Sequence, residues 1–322
     1  MRSETLAWFF VVAIFCFLSL FSTLHDFHLW PQVTLLRGTE LDFSALLVRA
    51  HFLRYLLVYP IFLSADSFGL EADAIFNVIC FFMLFFVTRN CVKTTQFYVS
   101  KNVVFLVFFF TFLFLTLSIF MNGRIIFAFC GFSYFLLSIH QWESYQIKDF
   151  GVVKRILISF FLCSVSTGAF LLCVICLLLW STIVIQRPKG RLRAYTAILI
   201  AILSPLILFY IMKNVIFYGG GISGLFNMLN HGAGVLLYNL SLDLAWLVFF
   251  NFIILFYFSL IVFQHAKRYY LLFIFIIASM FGGLFGFSTL SLGIIPVSII
   301  SITIFLKSLL LVGAIKTRQL NL

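Results

Sequence analysis

The chain has 322 residues, of which 64% are hydrophobic, 20% aromatic and only 10% charged. Soluble globular proteins carry about 25% charged residues, and apolar runs of bilayer-spanning length recur along this chain. The composition therefore excludes a soluble enzyme and predicts an all-α polytopic integral membrane protein, with one transmembrane domain over residues 1–322. The net charge of +11 does not indicate nucleic-acid binding, because the basic residues lie in short clusters between apolar runs.

The first apolar run, residues 6–24, lacks a small-residue cleavage site, so we expect a retained span that starts in the cytoplasm. An outer loop over residues 25–71 follows it. Within this loop, residues 44–63 are apolar but contain Arg49, His51 and Arg54. We interpret them as an interfacial or re-entrant segment, since a full span would place the next basic loop outside the cytoplasm.

The middle of the chain predicts two spans joined by a very short outer turn. Residues 73–87 return to the cytoplasm, residues 88–101 form a basic loop, and the two spans cover 103–120 and 125–139. The turn between them, Met121-Asn122-Gly123-Arg124, carries one cation. Residues 140–155 then form a cytoplasmic loop.

Residues 156–185 are too long for one ordinary span and are flanked by basic loops on both sides. This pattern predicts a hairpin of two short helices broken at residues 164–168, and such breaks often line substrate sites. Further spans are predicted over residues 195–217, 244–263, 271–287 and 292–313, with a second outer segment at 218–243. The total is about ten transmembrane segments, with both termini cytoplasmic.

One topology accounts for most of the 21 basic residues. It places the following on the cytoplasmic side: Arg2, Arg89, Lys93, Lys101, Lys148, Lys154, Arg155, Arg187, Lys189, Arg191, Arg193, Lys267, Arg268, Lys316 and Arg318. Lys307 lies within an apolar run, from which it can snorkel toward the cytoplasmic face.

The five remaining cations lie near the sparsely charged outer face, and all of them except Arg37 are the candidates for substrate binding. Arg49, Arg54, Arg124 and Lys213 could form a cationic basin that binds phosphate or diphosphate. Headgroup contacts or ion pairs with outer carboxylates are the alternative for each of them. His231 and Asp243 are candidate acid–base residues, with an interfacial histidine as the alternative.

No cofactor or metal is expected. The chain has no Gly-rich phosphate loop, no dinucleotide fingerprint and no repeated Cys-x-x-Cys spacing among its seven cysteines. We also expect no disulfide. Ser166 and Thr167 have no base nearby in sequence and are expected to satisfy backbone groups at the helix break.

The layout resembles that of Wzy-type O-antigen or surface-polysaccharide polymerases and of the related EpsG-like membrane proteins. The resemblance is carried by Asn122-Gly123-Arg124-Ile125 at the opening of a span, the short basic loop after it, and the small-residue hairpin at 164–168. It covers roughly residues 100 to 200. The aromatic-acidic motifs often found early in EpsG-like chains are not clear in this sequence.

The resemblance implies a GT-C-like glycosyltransferase in the bacterial inner membrane, working at its periplasmic face. Its substrate would be a polyprenyl-diphosphate-linked oligosaccharide, and a polysaccharide chain-length regulator would be a partner alongside membrane lipids. In that role Arg124 would contact the diphosphate with Arg49, Arg54 and Lys213 as helpers, and His231 or Asp243 would be the base. A lipid-linked oligosaccharide flippase or other transporter, or a membrane acyltransferase, would share the polytopic character.

Overall fold

A computed structural model describes residues 2–20, 52–100, 102–118, 121, 123–144, 149–185, 190–227, 269–282 and 291–319. These residues form helices and, within the described ranges, no strand. In chain order the helices are α1 (Arg2–Leu20), α2 (Phe52–Phe68), α3 (Ala72–Gln96), α4 (Val103–Ser118), α5 (Gly123–Glu143), α6 (Asp149–Cys163), α7 (Thr167–Ile185), α8 (Gly190–Phe217), α9 (Tyr270–Gly282) and α10 (Ile294–Gln319). A short helical segment at 221–227 follows α8.

Four of these helices are long and apolar enough to cross a membrane. The spanning stretches are Ser3–Leu20, Ala72–Gln96, Gly123–Glu143 and Thr196–Phe217. This confirms the all-α architecture and the multi-pass membrane character. The other apolar helices of the described part, in α2, α4, α7, α9 and α10, are shorter, so the full number of about ten crossings stays a prediction.

Helix α5 is the centre of the bundle. It packs between α3 on one side and α6 on the other, and most of its residues are buried. The contact with α6 is close because Gly131 has no side chain: a Cβ there would lie 2.7 Å from Cys163 Sγ and 2.8 Å from the Ser159 carbonyl oxygen. Small residues permit this approach of two backbones in a membrane.

The predicted hairpin over residues 156–185 is confirmed as two helices, α6 and α7, with the break at residues 164–166. The break is buried rather than exposed to lipid. Its backbone remains hydrogen-bonded, since the Ser166 amide donates to the Cys163 carbonyl at 3.0 Å and the Phe170 amide donates to the Ser166 carbonyl at 2.9 Å. A break at membrane depth is tolerated under these conditions.

Several predicted loops are shorter than the sequence indicated. Helix α3 continues to Gln96, through most of the predicted loop at 88–101, because its polar residues are compatible with a helix. The Thr94 and Thr95 hydroxyls donate back to the carbonyls of Asn90 and Cys91, both at 2.8 Å. Lys93 lies in the last turn of α3, where a cation interacts favourably with the helix dipole.

Helices also extend into other predicted loops. Helix α5 extends to Glu143 and α6 begins at Asp149, so the loop predicted over 140–155 is largely helical. Helix α2 runs to Phe68, five residues past the predicted segment, and ends in a Schellman turn. There Gly69 has φ +61° and the Leu70 amide donates to the Ala65 carbonyl at 2.9 Å.

Two groups of hydrogen-bonded polar side chains lie at opposite ends of the bundle. We call the end formed by the start of α5, the α6–α7 break and the last turns of α8 the Arg124 end. The opposite end, formed by the last turns of α3 and α5 and the first turns of α6 and α9, is called the basic end. By the charge distribution, the Arg124 end is predicted to face the periplasm and the basic end the cytoplasm.

Candidate functional site

Arg124 is the second residue of α5. Its side chain is partly buried, and within the described part of the chain its buried Nε has no hydrogen-bond partner. A cation at a helix N-terminus also lies at the positive end of the helix dipole, where an anion is favoured. Leaving a buried donor of a charged group unsatisfied is costly. Both features make Arg124 a candidate anion-binding side chain.

The residue before Arg124 explains how the guanidinium is positioned. A Cβ on Gly123 would lie 2.2 Å from the Phe76 ring of α3 and 3.1 Å from Cys80 Sγ. The Phe76 ring cannot easily move, because it is fully buried and stacked on Phe127 with ring centroids 5.8 Å apart. Glycine therefore lets the start of α5 lie directly against α3, which fixes the depth at which Arg124 enters the bundle.

Two phenols lie close enough to Arg124 to act on it electrostatically, those of Tyr210 in α8 and Tyr218 just after it. Tyr210 is buried and its ring lies against Phe170 of α7, with centroids 4.4 Å apart. The side chain of Tyr210 thus extends from α8 toward α7 and the α6–α7 break.

A hydrogen-bonded group, the Tyr210 cluster, joins α8 to this break; it comprises Ser164, Thr167, Tyr210 and Asn214. The Tyr210 hydroxyl donates to the Ser164 carbonyl at 2.9 Å. Thr167 Oγ1 lies 3.5 Å from the Tyr210 hydroxyl and 3.4 Å from Asn214 Oδ1, and Asn214 Nδ2 donates to the Tyr210 carbonyl at 2.8 Å. Side chains of α8 therefore form hydrogen bonds with the break that the sequence predicted and with the first residue of α7.

Lys213 lies between Tyr210 and Asn214 in α8 and is partly buried. Its ammonium sits 5.4 Å from the centroid of the Phe209 ring, a cation–π contact. The structure thus places the predicted helper cation on the helix that supplies the Tyr210 cluster, near the same end as Arg124.

The chain after α8 turns back toward this end. Gly219, Gly220 and Gly221 all have positive φ, at +113°, +75° and +58°, which side chains with a Cβ rarely adopt. The returning segment then packs on α8, since a Cβ on Gly224 would lie 2.4 Å from the Val215 carbonyl oxygen. Asn227 Nδ2 donates to the Tyr218 carbonyl at 3.1 Å.

The other predicted site residues are not located by the structure. Arg49, His231 and Asp243 lie outside the described residues, as does the side chain of Arg54. The cationic basin is consequently described only at Arg124 and Lys213, and the acid–base role of His231 or Asp243 stays a prediction. Among the described residues, no group of three His, Cys, Asp or Glu side chains could hold a metal ion.

Sequence reasoning missed Tyr210, Asn214 and Tyr218. Tyr210 and Asn214 are spaced i, i+4 in α8, a spacing that puts them on one helical face. Two polar side chains on one face of an otherwise apolar span are the signal that could have identified them. Tyr218 carries no such signal, because tyrosine is common at membrane boundaries.

A second polar group at the basic end involves residues that the sequence assigned to loops. The Tyr98 hydroxyl lies 2.6 Å from His140 Nε2. Lys307 Nζ donates to the Tyr269 hydroxyl at 2.5 Å, at the end of the bundle that is predicted to face the cytoplasm. Glu143 accepts from Trp180 Nε1 at 2.8 Å and from the Tyr270 hydroxyl. These contacts connect helix ends and satisfy one another, which is the pattern of a structural network.

The Arg124 end therefore offers one guanidinium as a candidate anion-binding group, with the phenols of Tyr210 and Tyr218 among its electrostatic neighbours. At the start of α3, which packs against Gly123, Glu71 and Asp73 supply exposed carboxylates at this end of the bundle, while the described residues there supply no imidazole. Comparisons with protein-family models, with curated proteins and with solved structures give no match to this chain.

Proposed function

We propose that this protein polymerises polyprenyl-diphosphate-linked oligosaccharide repeat units at the periplasmic face of a bacterial inner membrane. In this proposal Arg124 binds the diphosphate of the donor. The observation that carries it is the buried Nε of Arg124, which has no partner in the described part of the chain and lies at the N-terminus of a spanning helix. The resemblance of residues 100 to 200 to Wzy-type polymerases supplies the substrate class.

The reaction transfers a growing glycan from one lipid diphosphate to the nonreducing sugar of another unit. The acceptor hydroxyl oxygen attacks the anomeric carbon, the bond from that carbon to the diphosphate oxygen breaks, and a new glycosidic bond forms. The acceptor proton goes to a base, for which His231 and Asp243 are the candidates. The lipid diphosphate leaves with the bonding electron pair.

Negative charge grows on the diphosphate as it leaves, so a preplaced cation lowers the energy of that transition state. Arginine suits this task because its planar fork can donate to two phosphate oxygens at once. Lys213, on α8, supplies a second positive charge, and Arg49 and Arg54 are the further helpers that the proposal assigns. The reaction needs no nucleotide, which agrees with the absence of nucleotide-binding motifs from the sequence.

The test is the length of surface polysaccharide made by cells that carry Arg124→Ala in place of the native chain. We expect long chains to be lost while membrane levels of the protein stay normal. Arg124→Lys should recover only part of the length, because lysine keeps the charge but not the planar fork. Lys154→Ala is the matched control, since it removes an exposed cation of α6 from the basic end.

A deletion strain distinguishes polymerisation from transport. If the proposal holds, lipid A core bearing a single repeat unit accumulates. If repeat units instead remain on the cytoplasmic leaflet, the protein is a flippase. Unchanged chain length in Arg124→Ala would overturn the role assigned to this residue.

A further inference from the structure

We propose that the basic end contains a second anion site, which binds a phosphate group from the cytoplasmic side. The site is an open cleft of about 290 Å³ lined by Lys93, Gln96, Phe97 and Gln141. It lies at the end of α5 opposite Arg124 and does not rest on the proposed polymerase function.

Cations converge on this cleft from two helices. Arg89 and Lys93 are spaced i, i+4 on α3, so they occupy one face of the helix. Both charged groups that act on the Lys93 ammonium are cations, Arg89 of the same helix and Arg155 of α6. Like charges at this spacing destabilise a helix, and a third positive charge adds to the repulsion. An anion in the cleft would attract each of these cations and so offset their mutual repulsion.

Arg155 is held at the cleft rather than turned away from it. Its Nη1 donates to Gln141 Oε1 at 2.5 Å, and its guanidinium carbon lies 5.7 Å from the centroid of the Tyr134 ring. Gln141 itself lines the cleft. The guanidinium is thus anchored by a neutral amide and an aromatic ring, neither of which neutralises its charge.

The floor of the cleft is also preorganised. Phe97 packs against the His140 ring, with centroids 5.7 Å apart, and the next residue, Tyr98, is hydrogen-bonded to the same histidine. The turn after α3 is closed by the Phe97 and Tyr98 amides, which donate to the carbonyls of Thr94 and Thr95. A ligand would therefore enter a cleft whose walls are already in place, which lowers the entropic cost of binding.

Basic cytoplasmic loops are common in membrane proteins, and that bias accounts for the number of cations at this end. That bias does not account for the convergence of cations from α3 and α6 around one cleft, because cations in separate loops repel one another and would lie apart. The chemistry fits a phosphate group, whose oxygens accept from ammonium, guanidinium and amide donors together. A water molecule occupies about 30 Å³ of liquid, so the cleft has room for a phosphate and its hydration. The phosphate could belong to an anionic phospholipid headgroup or be free in solution.

The experiment measures thermal unfolding of the purified full-length chain in a neutral detergent, during titration with one of three additions. These are phosphatidylglycerol, phosphatidylcholine with the same acyl chains, and inorganic phosphate. We expect phosphatidylglycerol or inorganic phosphate to raise the unfolding temperature, and phosphatidylcholine to have no such saturable effect. The first result identifies a lipid headgroup as the ligand and the second identifies free phosphate.

Lys93→Gln and Arg89→Gln test the site itself. Lys93→Gln should raise the half-saturating concentration about tenfold or more, the factor expected for loss of one hydrogen bond between charged groups. Arg89→Gln should raise it less, because Arg89 is exposed and lies outside the residues that line the cleft. Without any addition, Lys93→Gln should unfold at the same or a higher temperature than the native chain, because the repulsion is relieved. Lys154→Gln is the control and should keep native binding, since Lys154 is an exposed cation of α6 outside the cleft.

Three results would overturn the proposal. One is the absence of any saturable shift with either phosphate source, and another is an equal shift with phosphatidylcholine. The third is equal weakening by Lys154→Gln, which would mean that general surface charge, and not the cleft, attracts the anion.

Discussion

His140 shows how one buried side chain fixes the arrangement of three segments. Its Nδ1 lies 2.9 Å from the Leu136 carbonyl, which can only accept, so Nδ1 carries the proton. In the neutral ring Nε2 is then an acceptor, and the Tyr98 hydroxyl must donate to it. Tyr98 also stacks on Tyr269, with centroids 5.1 Å apart, so the contact joins the end of α3, α5 and the start of α9.

This geometry predicts the effect of Tyr98→Phe. The substitution leaves His140 Nε2 buried without a donor, so we expect a loss of about 1–3 kcal/mol of stability. His140→Phe together with Tyr98→Phe should cost less than the sum of the two single substitutions, because neither polar group then remains unpaired. Thermal unfolding in detergent measures both effects.

Tyr59→Phe is the matched control for the tyrosine change, since Tyr59 is a partly buried tyrosine of α2. It should shift the unfolding temperature much less than Tyr98→Phe. Equal shifts would show that the Tyr98 hydroxyl contributes no more to stability than the Tyr59 hydroxyl does. Strict additivity in the double variant would contradict the pairing with His140.

At the scale of elements, α5 contributes polar residues to both ends of the bundle. Arg124 lies in its first turn, and His140 and Glu143 lie in its last turn. The helix can serve as the centre because glycines permit close packing at two points, Gly123 against α3 and Gly131 against α6. A shift of α5 along its axis would disturb both ends at once.

Gly131→Ala tests that packing. Alanine has the higher helix propensity and would stabilise an uncrowded helix by about 1 kcal/mol. In this structure the added methyl would collide with Cys163 Sγ and the Ser159 carbonyl, so we expect a net loss of stability instead. Overpacking of this kind costs about 1–3 kcal/mol.

Adding Cys163→Ala to Gly131→Ala separates the effect of the sulfur contact from that of the backbone contact. It removes the sulfur contact at 2.7 Å but leaves the backbone oxygen at 2.8 Å, so only part of the unfolding temperature should be recovered. A rise in stability for Gly131→Ala alone would mean that α5 and α6 are farther apart than described.

At the scale of the whole molecule, the two polar ends should face opposite sides of the membrane. Ser223 is exposed in the segment at 221–227 near the Arg124 end, and Ser144 is exposed after α5 at the basic end. In intact cells a membrane-impermeant maleimide should label Ser223→Cys. Ser144→Cys should react only after the membrane is permeabilised.

The background for this labelling is low, because every native cysteine except Cys16 is buried. Cys16→Ser in the parent chain removes the exposed thiol, and that parent is the control. The reverse labelling pattern would place Arg124 in the cytoplasm and remove the proposed periplasmic substrate from its reach.

The sequence predicted the helices, the hairpin and the position of Arg124 because these depend on local properties. The length of each apolar run distinguishes spans from loops, and the small residues at 164–168 allow a break in the helix. Clusters of cations indicate which span ends lie on the same side of the membrane. It erred at helix ends, as at Gln96 and Glu143, because polar residues end the apolar run without ending the helix.

By itself, then, the sequence determined an all-α multi-pass membrane protein with a cation at one short turn. Only the tertiary structure decided that Tyr210 and Asn214 meet the α6–α7 break, that Tyr98 pairs with His140, and that Arg155 joins Lys93 at a cleft. The physical reason is that helices apolar on nearly all sides carry little information about which face turns inward. Their rotation and neighbours are set by close packing and by a few hydrogen bonds between distant segments.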